Sequence, residues 1–442
     1  MPPRRHPLPA NTVFVLVASV FAALAAAYYW GMKRTDRDNK PPLDATTPVE
    51  DATTAELRPG WRNTLVEWLT PWRLLGEEEQ RFLWRSLALA VGVRVGLLLA
   101  GYVTGLLIIG RENTPLDKVF LEVLNRWDAP HYLRIAEVGY QTEGDDRNLI
   151  VFFPLYPLTV RLAHFVIPDY FLAASAVSFV ASVSAGYFLQ ALIRLDSDED
   201  EADRALWYFF LFPTAYFLAV PYTEALFLAL VLGAFLAARR GRWGWSGALG
   251  MLACATRVQG LALVPALAIE ALWQERWRAP LRAFWLALVP LGFVAYLLLN
   301  WHILGDPFEF MTIQREHWGH DSTYPWDTLK LAVESILRDP PGSFRTATYE
   351  GQVASFAFAA TLLLASARWL RPSYQVYAWV GLLMLFSVTF QISLPRYLLV
   401  VFPLIVVLAR FGRSPTVHQA VLATSAVFMG GLYVLYATRF GF

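Results

Sequence analysis

Residues 125–157 read NRWDAPHYLRIAEVGYQTEGDDRNLIVFFPLYP. This stretch puts Trp127, Asp128, His131, Arg134, Glu137 and Tyr140 between two hydrophobic blocks, and it closes on Phe153-Pro154 and Tyr156-Pro157. Its surroundings are of another character. The chain has 442 residues, 56% of them hydrophobic and 17% charged, where a soluble domain carries roughly a quarter charged residues. Apolar blocks of about 20 residues recur along it, the signature of an all-α polytopic membrane protein whose partner is the lipid bilayer. A net charge of +1 gives no reason to expect a nucleic-acid partner. The lone Cys254 excludes a disulfide within the chain. A long, ionisable, aromatic loop directly after an apolar block is where such a protein is expected to do chemistry.

Working outward, residues 1–32 read as an N-terminal membrane anchor, 33–83 as a linker ending in a Trp-rich interfacial segment, and 84–442 as the main transmembrane domain. Arginine clusters at 81–85, 239–242, 276–282, 368–371 and 410–413 mark the cytoplasmic side. The apolar stretches 205–238 and 243–273 each return to the side they left, so each is expected to be two short spans. Their breaks are expected near Pro221-Tyr222-Thr223-Glu224 and Thr256-Arg257-Val258-Gln259-Gly260. This arrangement predicts about 12 spans. It also puts loops 111–150 and 302–350 and Ser393–Arg396 on the extracytoplasmic side, opposite 194–204.

Each polar motif has a plain reading beside the chemical one. Asp128 precedes Ala129-Pro130, so it can simply cap a helix; the alternative is a general base with His131 and Tyr132 projecting one turn on. Phe152-Phe153-Pro154-Leu155-Tyr156-Pro157 is expected not to form a regular helix, because two prolines three residues apart break it; it is either an interfacial turn or one wall of a groove. Glu224 and Arg257 are ionisable residues inside apolar blocks, which are costly and usually functional. Gln314, Trp318 and Arg396 lie in the other outer segments, and arginine suits phosphate recognition. His302, His317, His320 and Asp321 lack a helical pair of metal ligands, so no metal site is expected, and no cofactor. The acidic run Asp196–Glu201 opens like a calcium loop, but its sixth position is Glu201 rather than Gly; it reads as a solvated loop.

Trp127-Asp128-x-x-His131-Tyr132-x-x-Ile135-Ala136-x-x-Gly139-Tyr140, followed by Phe152–Pro157, resembles the signature of the GPI mannosyltransferase 2 (phosphatidylinositol glycan class V) family and its prokaryotic relatives. The resemblance continues in Phe212-Pro213-Thr214-Ala215-Tyr216, Tyr222-Thr223-Glu224, Thr256-Arg257-Val258-Gln259-Gly260 and Pro395-Arg396-Tyr397, across residues 84–437. It implies a GT-C type integral membrane glycosyltransferase that takes a sugar, mannose in the eukaryotic members, from a polyprenyl-phosphate carrier. It also implies a glycolipid or glycan acceptor and an extracytoplasmic active site, here at the plasma membrane. On that basis Asp128 is the expected base of an inverting transfer and His131 its catalytic neighbour. Trp127, Tyr132, Tyr156, Glu224, Arg257, Gln314, Trp318 and Arg396 are the expected substrate-binding residues. A transporter or flippase for a lipid-linked sugar is the competing class, since broken helices with buried charge serve it too.

Overall fold

A computed structural model describes residues 76–107, 116–275, 284–340, 343–389 and 393–438. The expected anchor and most of the expected linker therefore lie outside the described residues. Contacts divide the chain between Trp84 and Arg85. Of the first unit only the start of the helix Glu77–Leu107 is described.

The described residues are helical, with no β-strand and a single isolated bridge between Ser322 and Val388. Among them, four helices are long and apolar enough to cross a membrane: Glu77–Gly105, Tyr170–Ile193, Phe284–Leu304 and Pro415–Thr438. Other apolar helices are shorter. Glu224–Arg239, Trp243–Thr256, Leu263–Glu275 and Pro372–Leu385 have 13 to 16 residues, about 20–24 Å at 1.5 Å per residue.

Glu224–Arg239 is the centre of the unit. It is buried on every side apart from Leu226 and its last residue, and Ala, Leu, Phe and Gly fill it almost throughout, as expected of a helix enclosed by others. Tyr170–Ile193 and Trp243–Thr256 pack along it, and Leu263–Glu275 packs against Pro372–Leu385. Its two ends carry the polar features. Glu224 begins it and Arg239 ends it, which separates them by roughly 22 Å.

Both expected breaks are present. After Glu199–Phe210 the chain makes a 3-10 turn at Ala215–Leu218 and enters the central helix only at Glu224. Trp243–Thr256 stops at Arg257, whose backbone is extended (φ −158°, ψ 146°), and a 3-10 turn at Val258–Ala262 follows. Gly260 makes this return possible. A Cβ there would lie 2.6 Å from the Cys254 nitrogen and 2.7 Å from the Ala253 carbonyl carbon, backbone atoms that cannot move aside.

The Phe152–Pro157 segment resolves differently from a simple break. Pro154 caps the helix Leu155–His164 and Pro157 lies in its first turn, where a missing N–H costs nothing because no intrahelical acceptor exists for it. The two prolines start a helix instead of preventing one. Phe152 and Phe153 precede it, leaving the 3-10 turn Asp145–Val151.

Candidate active site

Asp128 ends a loop and starts the helix Ala129–Val138, yet its side chain makes no capping hydrogen bond. The carboxylate faces elsewhere: Arg396 Nη1 donates to Asp128 Oδ2 at 2.9 Å. The backbone around it is tightly held. Trp127 sits at φ +56°, left-handed for a bulky non-glycine residue, a conformation that costs energy and persists only where its surroundings impose it. Those surroundings are two buried tyrosines. The Tyr222 hydroxyl accepts from the Asp128 N–H at 3.0 Å and donates to the Arg126 carbonyl at 3.0 Å. The Tyr436 hydroxyl donates to the Leu124 carbonyl at 3.1 Å.

Behind Asp128 the charges alternate. Arg396 Nε lies 3.1 Å from Glu224 Oε1, and Arg257 Nη1 donates to the same oxygen at 2.7 Å and to Thr223 Oγ1 at 2.9 Å. The order is Asp128, Arg396, Glu224, Arg257. Glu224 is fully buried, while the Asp128 side chain keeps 26% exposure. The two guanidiniums also lie over the Tyr397 ring, at 4.9 Å for Arg257 and 4.7 Å for Arg396. Ion pairing and ring faces together offset part of the cost of burying Arg396, Glu224 and Arg257.

A cleft of about 190 Å³ opens on this row. Asp128, Arg257, Arg396, Tyr397 and Gln259 line it together with Tyr132, Phe152, Gln314, Trp318 and His320. Hydrogen bonds to the backbone hold the aromatic wall: Tyr140 Oη donates to the Phe152 carbonyl at 2.6 Å and Tyr296 Oη to the Ile150 carbonyl at 2.9 Å. Phe153 stacks on Tyr296 with centroids 4.0 Å apart.

The cleft thus brings together Asp128, Tyr132, Arg257, Gln314, Trp318 and Arg396. Glu224 is behind the arginines and does not line it. His131 does not line it either; its ring stacks on Phe152 (5.3 Å) and meets the edge of Trp318 (5.6 Å), both of which do. Tyr156 is buried behind Tyr132, with its hydroxyl 2.9 Å from Ser178 Oγ. The Trp127 indole turns away to the Tyr436 carbonyl at 3.4 Å. Burial pushes the His131 imidazole below its ordinary value; Asp128 opposes the shift and His317 adds to it. Burial also lowers His320, again against Asp128, with Arg396 adding to the shift. Tyr222, Gln259, His320 and Tyr397 are cleft or support residues outside the expected substrate-binding set. Tyr222, Gln259 and Tyr397 adjoin Glu224, Arg257 and Arg396 in the same short motifs.

Among the described residues no group of three or more His, Cys, Asp and Glu side chains is placed to hold a metal ion. The acidic run has other roles: Asp198 caps Glu199–Phe210 through the Glu201 N–H at 2.8 Å, and Asp196 accepts two hydrogen bonds from Arg239 at 2.6 and 2.7 Å.

Residues 112–274 match the family model described as Mannosyltransferase (PIG-V). This region is similar to the PIG-V mannosyltransferases. It carries Asp128, His131, Glu224 and Arg257 but ends before Gln314, Trp318 and Arg396. GPI alpha-1,6-mannosyltransferase 2 of Cricetulus griseus is 34% identical over 152 residues, 32% of this chain and 30% of that protein. The Rattus norvegicus protein of the same name is 34% identical over 161 residues, 34% of this chain and 32% of its own. The Homo sapiens protein is 32% identical over 152 residues, with shares of 32% and 30%. The similarity to these PIG-V relatives thus spans about a third of their length. No solved structure matches the chain.

Proposed function

We propose that this chain is a membrane mannosyltransferase of GT-C type, with about 12 spans once the short helices are included. It would move mannose from a polyprenyl-phosphate carrier to a hydroxyl of a glycolipid or glycan, at the extracytoplasmic face of the plasma membrane. The observation that supports it best is a partly exposed carboxylate, Asp128, on the same cleft as two buried guanidiniums, Arg257 and Arg396. The similarity to mannosyltransferases favours a sugar over other cargo.

The chemistry follows from that pairing. Asp128 accepts the proton of the acceptor hydroxyl as its oxygen attacks the anomeric carbon. The bond from that carbon to the carrier phosphate breaks on the opposite side, so the configuration inverts. The bond's electron pair leaves with the phosphate, whose growing charge Arg257 and Arg396 stabilise. Glu224 holds both guanidiniums in place, and Tyr222 fixes the backbone that aims Asp128. Trp318, Gln314, Tyr132 and Phe152 supply a wall for sugar and acceptor, with His131 and Tyr156 supporting it from outside the cleft, while Trp127 ties the Asp128 loop to Tyr436.

The test is transfer by purified protein in detergent. Polyprenyl-phosphate mannose is expected to serve as donor and GDP-mannose without lipid carrier to be inert. Transfer from GDP-mannose alone would overturn the reading of the donor.

A further inference from the structure

The far end of the central helix holds a second cleft, of about 340 Å³. Arg239 ends the helix there, roughly 22 Å from Glu224. Its acidic residues are already committed. Asp196 is held by Arg239 at 2.6 and 2.7 Å. Glu201 lies 2.8 Å from Arg413. The buried Glu270 takes Arg371 at 2.6 and 2.7 Å and Ser373 at 2.5 Å. Two arginines on the cleft are left over. Arg410 lies over the Trp369 ring at 4.5 Å, and neither it nor Arg368 has a carboxylate partner among the described residues.

We propose that this cleft binds a phosphate-bearing anion, the headgroup of an anionic lipid. Two features support this beyond the excess of positive charge. Arg371 is fixed in place by Glu270, so the site is partly built before a ligand arrives. Trp273 and Trp369 line the cleft, and Trp is the residue that settles at headgroup level. Basic recesses between membrane helices are suited to such headgroups. The site is separate from the Asp128 cleft and does not depend on the proposed transferase activity.

The test uses the full chain in a nonionic detergent. Its thermal midpoint is followed during titration with dioctanoyl phosphatidate, dioctanoyl phosphatidylcholine and inorganic phosphate. A ligand that binds the folded chain alone raises the midpoint saturably. Phosphatidate is expected to do so and phosphatidylcholine not. The double substitution Arg368→Gln/Arg410→Gln is expected to weaken the phosphatidate response at least tenfold. Should that variant fail to fold, Arg368→Glu, at an exposed position, is expected to act in the same direction. A comparable response to inorganic phosphate, lost in the variant, would identify free phosphate as the source. No response to either anion, or a phosphatidate response unchanged in the variants, would overturn the proposal.

Discussion

Arg396 and Asp128, 268 positions apart in the chain, meet at 2.9 Å. The contact joins the loop that opens the helix Ala129–Val138 to the motif Pro395-Arg396-Tyr397, and it draws Glu224 and Arg257 into one row. The Asp128 carboxylate is therefore the partner of a buried guanidinium, and only its backbone carbonyl serves the helix start.

Glu224 is the shared acceptor of both arginines and is fully buried. Glu224→Gln keeps its shape and removes its charge, leaving two guanidiniums to share Asp128. Breaking a buried pair in this way costs about 3–5 kcal/mol. A clear fall in the thermal midpoint of the purified protein is expected. An unchanged midpoint would show that the row does not hold the fold together.

Arg396 touches Asp128 through Nη1 and Glu224 through Nε. Lysine has one compact ammonium and cannot reproduce that fork. Arg396→Lys is expected to fold, to bind the carrier more weakly and to transfer more slowly. Wild-type carrier affinity in this variant would remove Arg396 from phosphate recognition.

Tyr222 accepts from the Asp128 N–H and donates to the Arg126 carbonyl. Tyr222→Phe leaves the Asp128 N–H without this partner, at a cost of about 1–3 kcal/mol, while the Arg126 carbonyl still accepts from the Ala129 N–H at 3.1 Å. Because Asp128 loses its aim while the arginines keep theirs, kcat is expected to fall with little change in carrier affinity. A variant with full kcat would reduce Tyr222 to packing.

His131 and His320 are lowered from 6.5, chiefly by burial. The folded chain then binds fewer protons at these sites than the unfolded chain does, so stability rises with pH. The contribution is complete above 6.5 and is lost as pH falls through 6.5 toward the lower folded values. Thermal midpoints between about pH 5 and 8 are expected to show a shallower acid-side loss in a His131→Gln/His320→Gln double variant than in wild type. A steeper loss in the variant would contradict the assignment.

Much of this was legible in the sequence because it depends on local rules. Ionisable residues in apolar blocks marked Glu224 and Arg257, and the two breaks beside them follow from Pro221 and Gly260. Which residues share a cleft was not legible, because it depends on long-range packing. Nothing local shows that the Trp127 indole turns to the Tyr436 carbonyl, or that Tyr222 reaches back to Arg126. The prolines at 154 and 157 misled for a simpler reason: spaced as they are, they suit a helix's first turn as well as a break.

The central claim is that Asp128 takes the acceptor's proton. Asp128→Asn keeps the size of the side chain and can still accept from Arg396, but it loses basicity. Transfer rate and carrier affinity are to be measured on the same purified variant. A rate reduced on the order of 10²–10⁴-fold, with carrier affinity largely retained, is the expected result. Full activity in Asp128→Asn would contradict it.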